Sequence, residues 1–275
     1  MGTTSADKSR SEKVAEASGK PFEEIDVEGL TLAKATGEMK LHEEELMPAV
    51  LAVAEVSGKE FGIEKMLDKM YGLWEPIDYI VDDYKATGTY FIKGTDEIVT
   101  LLDDHIVATQ AMSFSPYKAA FEKRIIDWEL LLRNVQDITT AWLAAQKNWM
   151  YLQPIFSSED IARQLPNETK KFKDADRVYR KVLGDAKKRP SCLRICKDPK
   201  LLKIFEDMDA DLEYVQKNLA EYLETKRNAF ARFFFMSNDE LIEILSQTKD
   251  PQMVQPHLKK CFESLNKLKF EDVDG

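Results

Sequence analysis

Apolar residues return every third or fourth position along most of this chain, which predicts helices. Residues 42–57 and 61–74 each carry such a stripe, and Gly58 and Gly62 between them predict a break. The period then changes. Ile77, Tyr79, Ile80, Val81 and Tyr84 precede Lys-Ala-Thr-Gly-Thr (85–89), and Tyr90, Phe91 and Ile92 follow. Two short β-branched and aromatic runs around a glycine-containing turn predict one β-hairpin near residues 77–93. Thr95, followed by Asp96 and Glu97, predicts the capped start of a helix ending near Met112.

Ser115-Pro116 is a helix-start signal, and the helix it opens is expected to run to about Leu152. Phe121, Ile125, Trp128, Leu132, Val135, Ile138, Trp142, Ala145, Trp149 and Leu152 step by three or four residues, a heptad seam with one extra three-residue step. At 1.5 Å per residue the seam is about 46 Å long and needs partners along its length. A second seam joins Leu201, Phe205, Met208, Leu212, Val215, Leu219, Tyr222 and Lys226. Phe172, Ala175, Tyr179, Val182 and Leu183 mark a shorter amphipathic helix between them. Ser237 with Glu240 three residues on is a capping box. Asp250-Pro251 and Gln255-Pro256 mark two more starts, the second leading into residues 257–268.

The pattern predicts a mainly α fold: an elongated multi-helix bundle with long heptad-seam helices and one small β-hairpin. The expected organisation is a disordered polar leader over 1–21, an N-terminal helical subdomain with the hairpin over 22–112, and a helical subdomain with two long helices over 113–275.

Composition narrows the function. Glycine (11) and proline (10) are scarce in 275 residues, which favours helices. The longest apolar runs fall well short of a membrane span, and the start of the chain has no signal-peptide pattern. Three cysteines do not make a disulfide framework and point to a reducing compartment. Net charge is -10 but uneven: residues 22–112 hold 20 acidic and 7 basic side chains, whereas residues 163–203 hold 14 basic and 5 acidic. That basic stripe reads either as a solvated helical face or as a dock for an acidic protein surface or for the chain's own acidic half. Nucleic acid is not expected, because the aromatics fall on helical core spacing and do not interleave with the basic residues.

Catalytic chemistry finds little support. Gly19-Lys20 and Gly58-Lys59 lack both the preceding glycine and the following hydroxyl of a phosphate loop. Cys192/Cys196 and His257/Cys261 each place two ligands one turn apart, the elements of a zinc site, but these cysteines occupy apolar positions and are expected in the core. His42, His105 and His257 have no clustered nucleophile, and the acidic runs read as solvated faces. Neither a catalytic residue nor a metal ligand is assigned. Four phenylalanines, Phe230, Phe233, Phe234 and Phe235, are denser than one helical stripe can hold, so some must face a second surface.

One motif is distinctive: Trp142, Gln146, Trp149, Tyr151, Leu152 and Phe156, followed by Leu165-Pro166. With residues 88–98, 113–129 and 221–263, it resembles the linker region of dynein heavy chains, most of all the axonemal kind. The resemblance covers about residues 61–265, and 22–60 more weakly. Ala231 stands where that family usually has proline, and Phe234 where it often has tyrosine. The resemblance implies an N-terminal part of a linker, continuing in the family beyond Gly275, that passes the ATP-driven motion of an AAA+ ring towards the tail. It implies that ATP and magnesium sit in the ring and no cofactor here. Its partners would be the ring of the same heavy chain and, through the adjoining tail, intermediate and light chains. Direct microtubule, membrane or nucleic-acid binding is not expected. The expected location is the cytoskeleton of a cilium or flagellum. A linker also needs a bend. The candidate joint is Glu224 to Ser237, with Lys226, Arg227, Phe230, Arg232, Phe233, Phe234 and Phe235 at the hinge or contact. The alternative is a free-standing, spectrin-like helical adaptor. An adaptor should end in a polar-faced capped helix, whereas a linker segment should expose apolar surface near residues 230–265.

Overall fold

Met47–Trp74 form one uninterrupted helix, α1. The break expected at Gly58 and Gly62 does not occur. Both glycines are exposed, and a Cβ on either would meet nothing within 4 Å. Their helix penalty, about 1 kcal/mol each, is offset by an inward stripe of Ile63, Leu67, Met70 and Trp74. This computed structural model describes residues 47–246 and 251–270 with Ala33, Thr36, Gly37, Glu43 and Glu44. The leader expected over 1–21, the start expected at Asp250 and the chain's last five residues lie outside them.

The change of period produces the hairpin. Strands β1 (Ile80–Asp83) and β2 (Tyr90–Lys93) pair antiparallel, with Val81 opposite Ile92, and both side chains are buried. Gly88 (φ 68) in the connection and Gly94 (φ 64) at its exit adopt the left-handed conformation open to glycine. Helix α2, Asp96–Ser113, follows with Asp96 and Glu97 in its first turn and Ile98, Leu102, Thr109 and Met112 inward.

The long helix α3, Glu122–Phe156, starts later than Ser115-Pro116 predicts. Ser115 Oγ accepts the Tyr117 N–H (3.2 Å), but the cap closes only a turn, and the 3-10 helix Ala119–Phe121 intervenes. All ten seam positions from Phe121 to Leu152 are nonetheless buried. The chain continues through α4 (Glu159–Gln164), α5 (Pro166–Lys188), α6 (Cys192–Cys196) and α7 (Lys200–Ala229). Along α7 the second seam holds to Leu219, then passes to Leu223 and Arg227 in place of Tyr222 and Lys226. Successive four-residue steps keep pace with the drift of a 3.6-residue helix past a strict heptad.

A 3-10 helix, Ala231–Phe235, leads to α8, Asn238–Ser246. Another, Pro251–His257, leads to α9, Leu258–Cys261. The helix expected over 257–268 is thus a single turn. Phe262 leaves it in an extended conformation (φ -141, ψ 101), and Arg232 holds the Cys261 carbonyl at 2.8 Å. Among the described residues the fold is mainly α with one two-stranded antiparallel sheet.

The chain separates into two units, each with its own core. The first takes in the described residues up to Asp78, Asp96–Val135 and Ser191–Leu193. Within it Trp74 Nε1 donates to His105 Nδ1 at 2.8 Å, and the rings of Tyr71 and Trp128 lie 5.7 Å apart. The second takes in Tyr79–Thr95, Gln136–Pro190 and the described residues from Arg194 on. Its centre is aromatic: Trp142, Trp149, Tyr179 and Phe205 are fully buried.

Candidate functional site

A two-stranded sheet has two open edges, and each edge presents backbone groups that need partners. Here side chains supply them. Gln146 Nε2 donates to the Ile92 carbonyl, and its Oε1 accepts the Ile92 N–H, both at 2.8 Å. The buried amide acts as a third strand at the edge of β2. The Tyr179 hydroxyl donates to the Tyr90 carbonyl (3.2 Å), and Lys187 Nζ donates to the Val81 carbonyl (2.7 Å) on β1. Arg180 donates to the Thr87 carbonyl at the hairpin tip (2.9 Å). The hairpin is therefore fastened to α3 and α5 at both edges and at its turn.

The tryptophans of the motif anchor the same region. Trp149 stacks on Tyr179 with ring centroids 4.4 Å apart, and its indole N–H donates to Asp176 at 2.9 Å. Asp176 also accepts two bonds from Arg180 Nε, at 2.8 and 3.0 Å. Trp142 stacks on Phe205 (5.0 Å) and lies tilted against Tyr79 (5.2 Å), but its Nε1 has no hydrogen-bond partner among the described residues. Phe156 stacks on Phe172 (5.4 Å). Leu152 is fully buried and Tyr151 half-buried. Leu165 joins α4 to α5, its carbonyl accepting the Thr169 N–H at 2.9 Å, and Pro166 opens α5. Burial pushes the phenols of both Tyr179 and Tyr151 upwards.

Sequence reasoning singled out Gln146 and Trp149 but not Asp176, Tyr179 and Arg180 as their partners. One signal was present: Gln146 is a polar residue set between two tryptophans on an apolar face.

At the joint, α7 ends at Phe230, which is extended (φ -138, ψ 96). None of the four phenylalanines is buried, and Phe234 and Phe235 are 56% and 71% exposed. The buried residues are Met236 and Arg227. The Arg227 guanidinium donates to Glu224 (2.9 Å), to the Met236 carbonyl (3.2 Å) and to Asn238 Oδ1 (2.7 Å), so it spans the joint. Lys226 lies over the Tyr222 ring (4.9 Å), and the Arg232 guanidinium over the Phe262 ring (4.6 Å). Phe230 and Phe233 meet edge to face at 4.9 Å. The capping box forms reciprocally: Ser237 N–H donates to Glu240 (3.0 Å) and Glu240 N–H to Ser237 Oγ (3.3 Å). Lys260 also bonds Glu240, and these donors hold its carboxyl down at about 2.

The cysteines are free and buried. Cys196 lies 3.3 Å from the Tyr79 hydroxyl, and Cys261 lies 3.4 Å from the Met236 sulfur. Among the described residues no group of three or more His, Cys, Asp or Glu is placed to hold a metal ion, and no helix is long and apolar enough to cross a membrane.

The family model "Dynein heavy chain, N-terminal region 2" matches residues 5–275. Dynein axonemal heavy chain 1 of Rattus norvegicus is 50% identical over 243 residues, 88% of this chain and 5% of its own length. Dynein axonemal heavy chain 12 of Homo sapiens is 42% identical over 242 residues, 88% of this chain and 8% of its own length. Dynein axonemal heavy chain 3 of Homo sapiens is 44% identical over 220 residues, 80% of this chain and 5% of its own length.

Proposed function

Because this chain belongs to the dynein heavy chain family, through its N-terminal region 2, we propose that it is the mechanical linker segment that passes the nucleotide-driven motion of the AAA+ ring towards the tail. The region itself is non-catalytic, and the axonemal relatives imply a location in the cytoskeleton of a cilium or flagellum. This segment spans only 5–8% of the length of the relatives named above. On this reading ATP and magnesium belong to the ring, and the segment's partner is the ring of its own heavy chain, with intermediate and light chains reached through the tail.

The observation that carries the reading is the cross-braced second unit. A lever must transmit displacement without absorbing it, so its parts must be held at several points. Gln146, Trp149, Tyr179, Arg180 and Lys187 fasten hairpin, α3 and α5 through six hydrogen bonds, with Asp176 as the acceptor for Trp149. A lever also needs a place to bend. The joint from Glu224 to Ser237 is the candidate: a 3-10 segment between two helices, spanned by Arg227 and tied to α9 by Arg232. Apolar surface at Phe230, Phe234, Phe235 and Phe262 fits a linker better than the polar-faced end of a free adaptor, and family membership does not favour the adaptor.

The test replaces residues 61–265, in a heavy chain carrying this segment, by a flexible Gly/Ser chain of equal length. Transmission through the segment requires that ATP turnover persist while microtubule gliding stops. Gliding at unchanged velocity would refute the reading.

A further inference from the structure

Helix α5 carries eight lysines and arginines, and the fold sorts them into two sets. Three are committed to the unit's own bonds: Lys171 to Asp211 (2.6 Å), Arg180 to Asp176 and the Thr87 carbonyl, and Lys187 to the Val81 carbonyl. The other five, Lys170, Lys173, Arg177, Lys181 and Lys188, are exposed. Their steps of 3, 4, 4 and 7 residues place all five within an arc of about 80° on the helix surface. From Lys170 to Lys188 the line is about 27 Å long at 1.5 Å per residue.

Few carboxylates answer this line. Arg177 has Asp174 at 3.2 Å and Lys188 has Asp185 at 3.8 Å, each pair widely exposed and so weakly held. Lys170, Lys173 and Lys181 form no ion pair among the described residues. Helical surface faces usually mix signs, because like charges one turn apart repel. A chain of net charge -10 that gathers five cations in one line departs from that rule.

We infer that this face of α5 docks an acidic polypeptide segment from outside these 275 residues, laid along the helix. The line matches about eight residues of extended chain at roughly 3.3 Å each. The chemistry favours polypeptide over nucleic acid. The aromatic residues of α5, Phe172 and Tyr179, are buried and offer no base a stacking surface, whereas Val178, 40% exposed, offers an apolar contact. This inference stands independently of the lever reading.

The experiment uses the full 275-residue chain and a fluorescent oligoglutamate peptide of about ten residues, long enough to span the line. Anisotropy should give saturable binding that weakens as salt is raised. Lys173→Glu, Arg177→Glu and Lys181→Glu together should weaken it by about tenfold or more. The same reversal at the exposed α7 lysines, Lys200, Lys203 and Lys217, should change it by less than about twofold. Carbodiimide crosslinks from the peptide should concentrate on Lys170, Lys173, Lys181 and Lys188, and circular dichroism should confirm that both triple variants fold. Equal weakening by both triples, or crosslinks spread over exposed lysines at large, would overturn the inference. So would preferential displacement of the peptide by a single-stranded oligonucleotide of equal charge. Crosslinks formed without peptide between these lysines and the chain's own residues 23–45 would also overturn it, because the occupant would then be internal.

Discussion

Gln146 and Ile92, 54 residues apart in sequence, bond each other twice: the side-chain amide of one meets both the N–H and the C=O of the other at 2.8 Å. Gln146→Leu keeps the bulk but leaves two backbone groups of β2 unsatisfied. Each orphaned group costs about 1–3 kcal/mol. The variant is expected to shift urea denaturation by at least that amount for one group, and to speed amide exchange at Ile92. An unchanged denaturation midpoint would show that solvent replaces the pair at no cost.

The two buried tryptophans should respond differently to the same change. Truncation of either to alanine is expected to cost about 3–5 kcal/mol, the usual loss for a large core aromatic. Replacement by phenylalanine separates them. Trp149→Phe loses the bond to Asp176, whereas Trp142→Phe removes an N–H that has no partner among the described residues. Trp149→Phe should therefore be the more destabilising in denaturation midpoint; the opposite order would count against the assigned role of Asp176.

His105 accepts the Trp74 indole N–H, which requires a neutral Nδ1. Burial, opposed by Asp104 and helped by Lys69, lowers its pKa from the ordinary 6.5. The unfolded chain then takes up the proton first. The contribution to stability is full above about pH 6.5 and is lost as pH falls through the lower folded value. Denaturation midpoints from pH 8 to about 5 should fall, and His105→Gln should remove part of that slope. An NMR titration placing His105 above 6.5 would contradict this.

The carboxyl of Glu240 is held down at about 2, first by the Lys260 bond and then by the Ser237 N–H. Its contribution is present above the ordinary glutamate value and is lost as pH falls through about 2. Glu240→Gln should flatten the stability profile between about pH 4.5 and 2. Carbon-detected NMR of the Glu240 carboxyl should show no change at pH 4.5.

Arg227 is the clasp of the joint, so its loss should act locally. Arg227→Met leaves the Met236 carbonyl and Asn238 without their donor. The cost is about 1.5–3 kcal/mol for a charged hydrogen bond. Hydrogen exchange should rise at amides 230–238 and stay unchanged at the hairpin. In the native chain, amides 230–237 should exchange faster than those of α7 and α8. Equal protection would make the joint rigid and place the bend elsewhere.

The helical fold, the hairpin, the ten buried seam positions and the capping box at Ser237 were legible in the residues alone, because each is written in local spacing. The period of apolar residues reports which face is inward, and a Ser-x-x-Glu pattern closes on itself within one turn. The sequence also marked Gln146 and Trp149. It misplaced the break at Gly58 and Gly62, the start of the long helix and the length of the last one, because element ends depend on what the neighbouring surface stabilises. Glycine weakens a helix by an amount that a buried stripe outweighs, and a proline-led start yields to the turn that the Ser115 hydroxyl closes. The partners, by contrast, are set by packing between distant segments. Ile92, Asp176 and Tyr179 are joined to the Trp-Gln-Trp motif across 27 to 54 residues, and no local period encodes such a pairing. The same holds for α5: spacing lines up its cations, but only the packing against Asp211, Asp176 and the hairpin carbonyls separates the three that hold the fold from the five that face water.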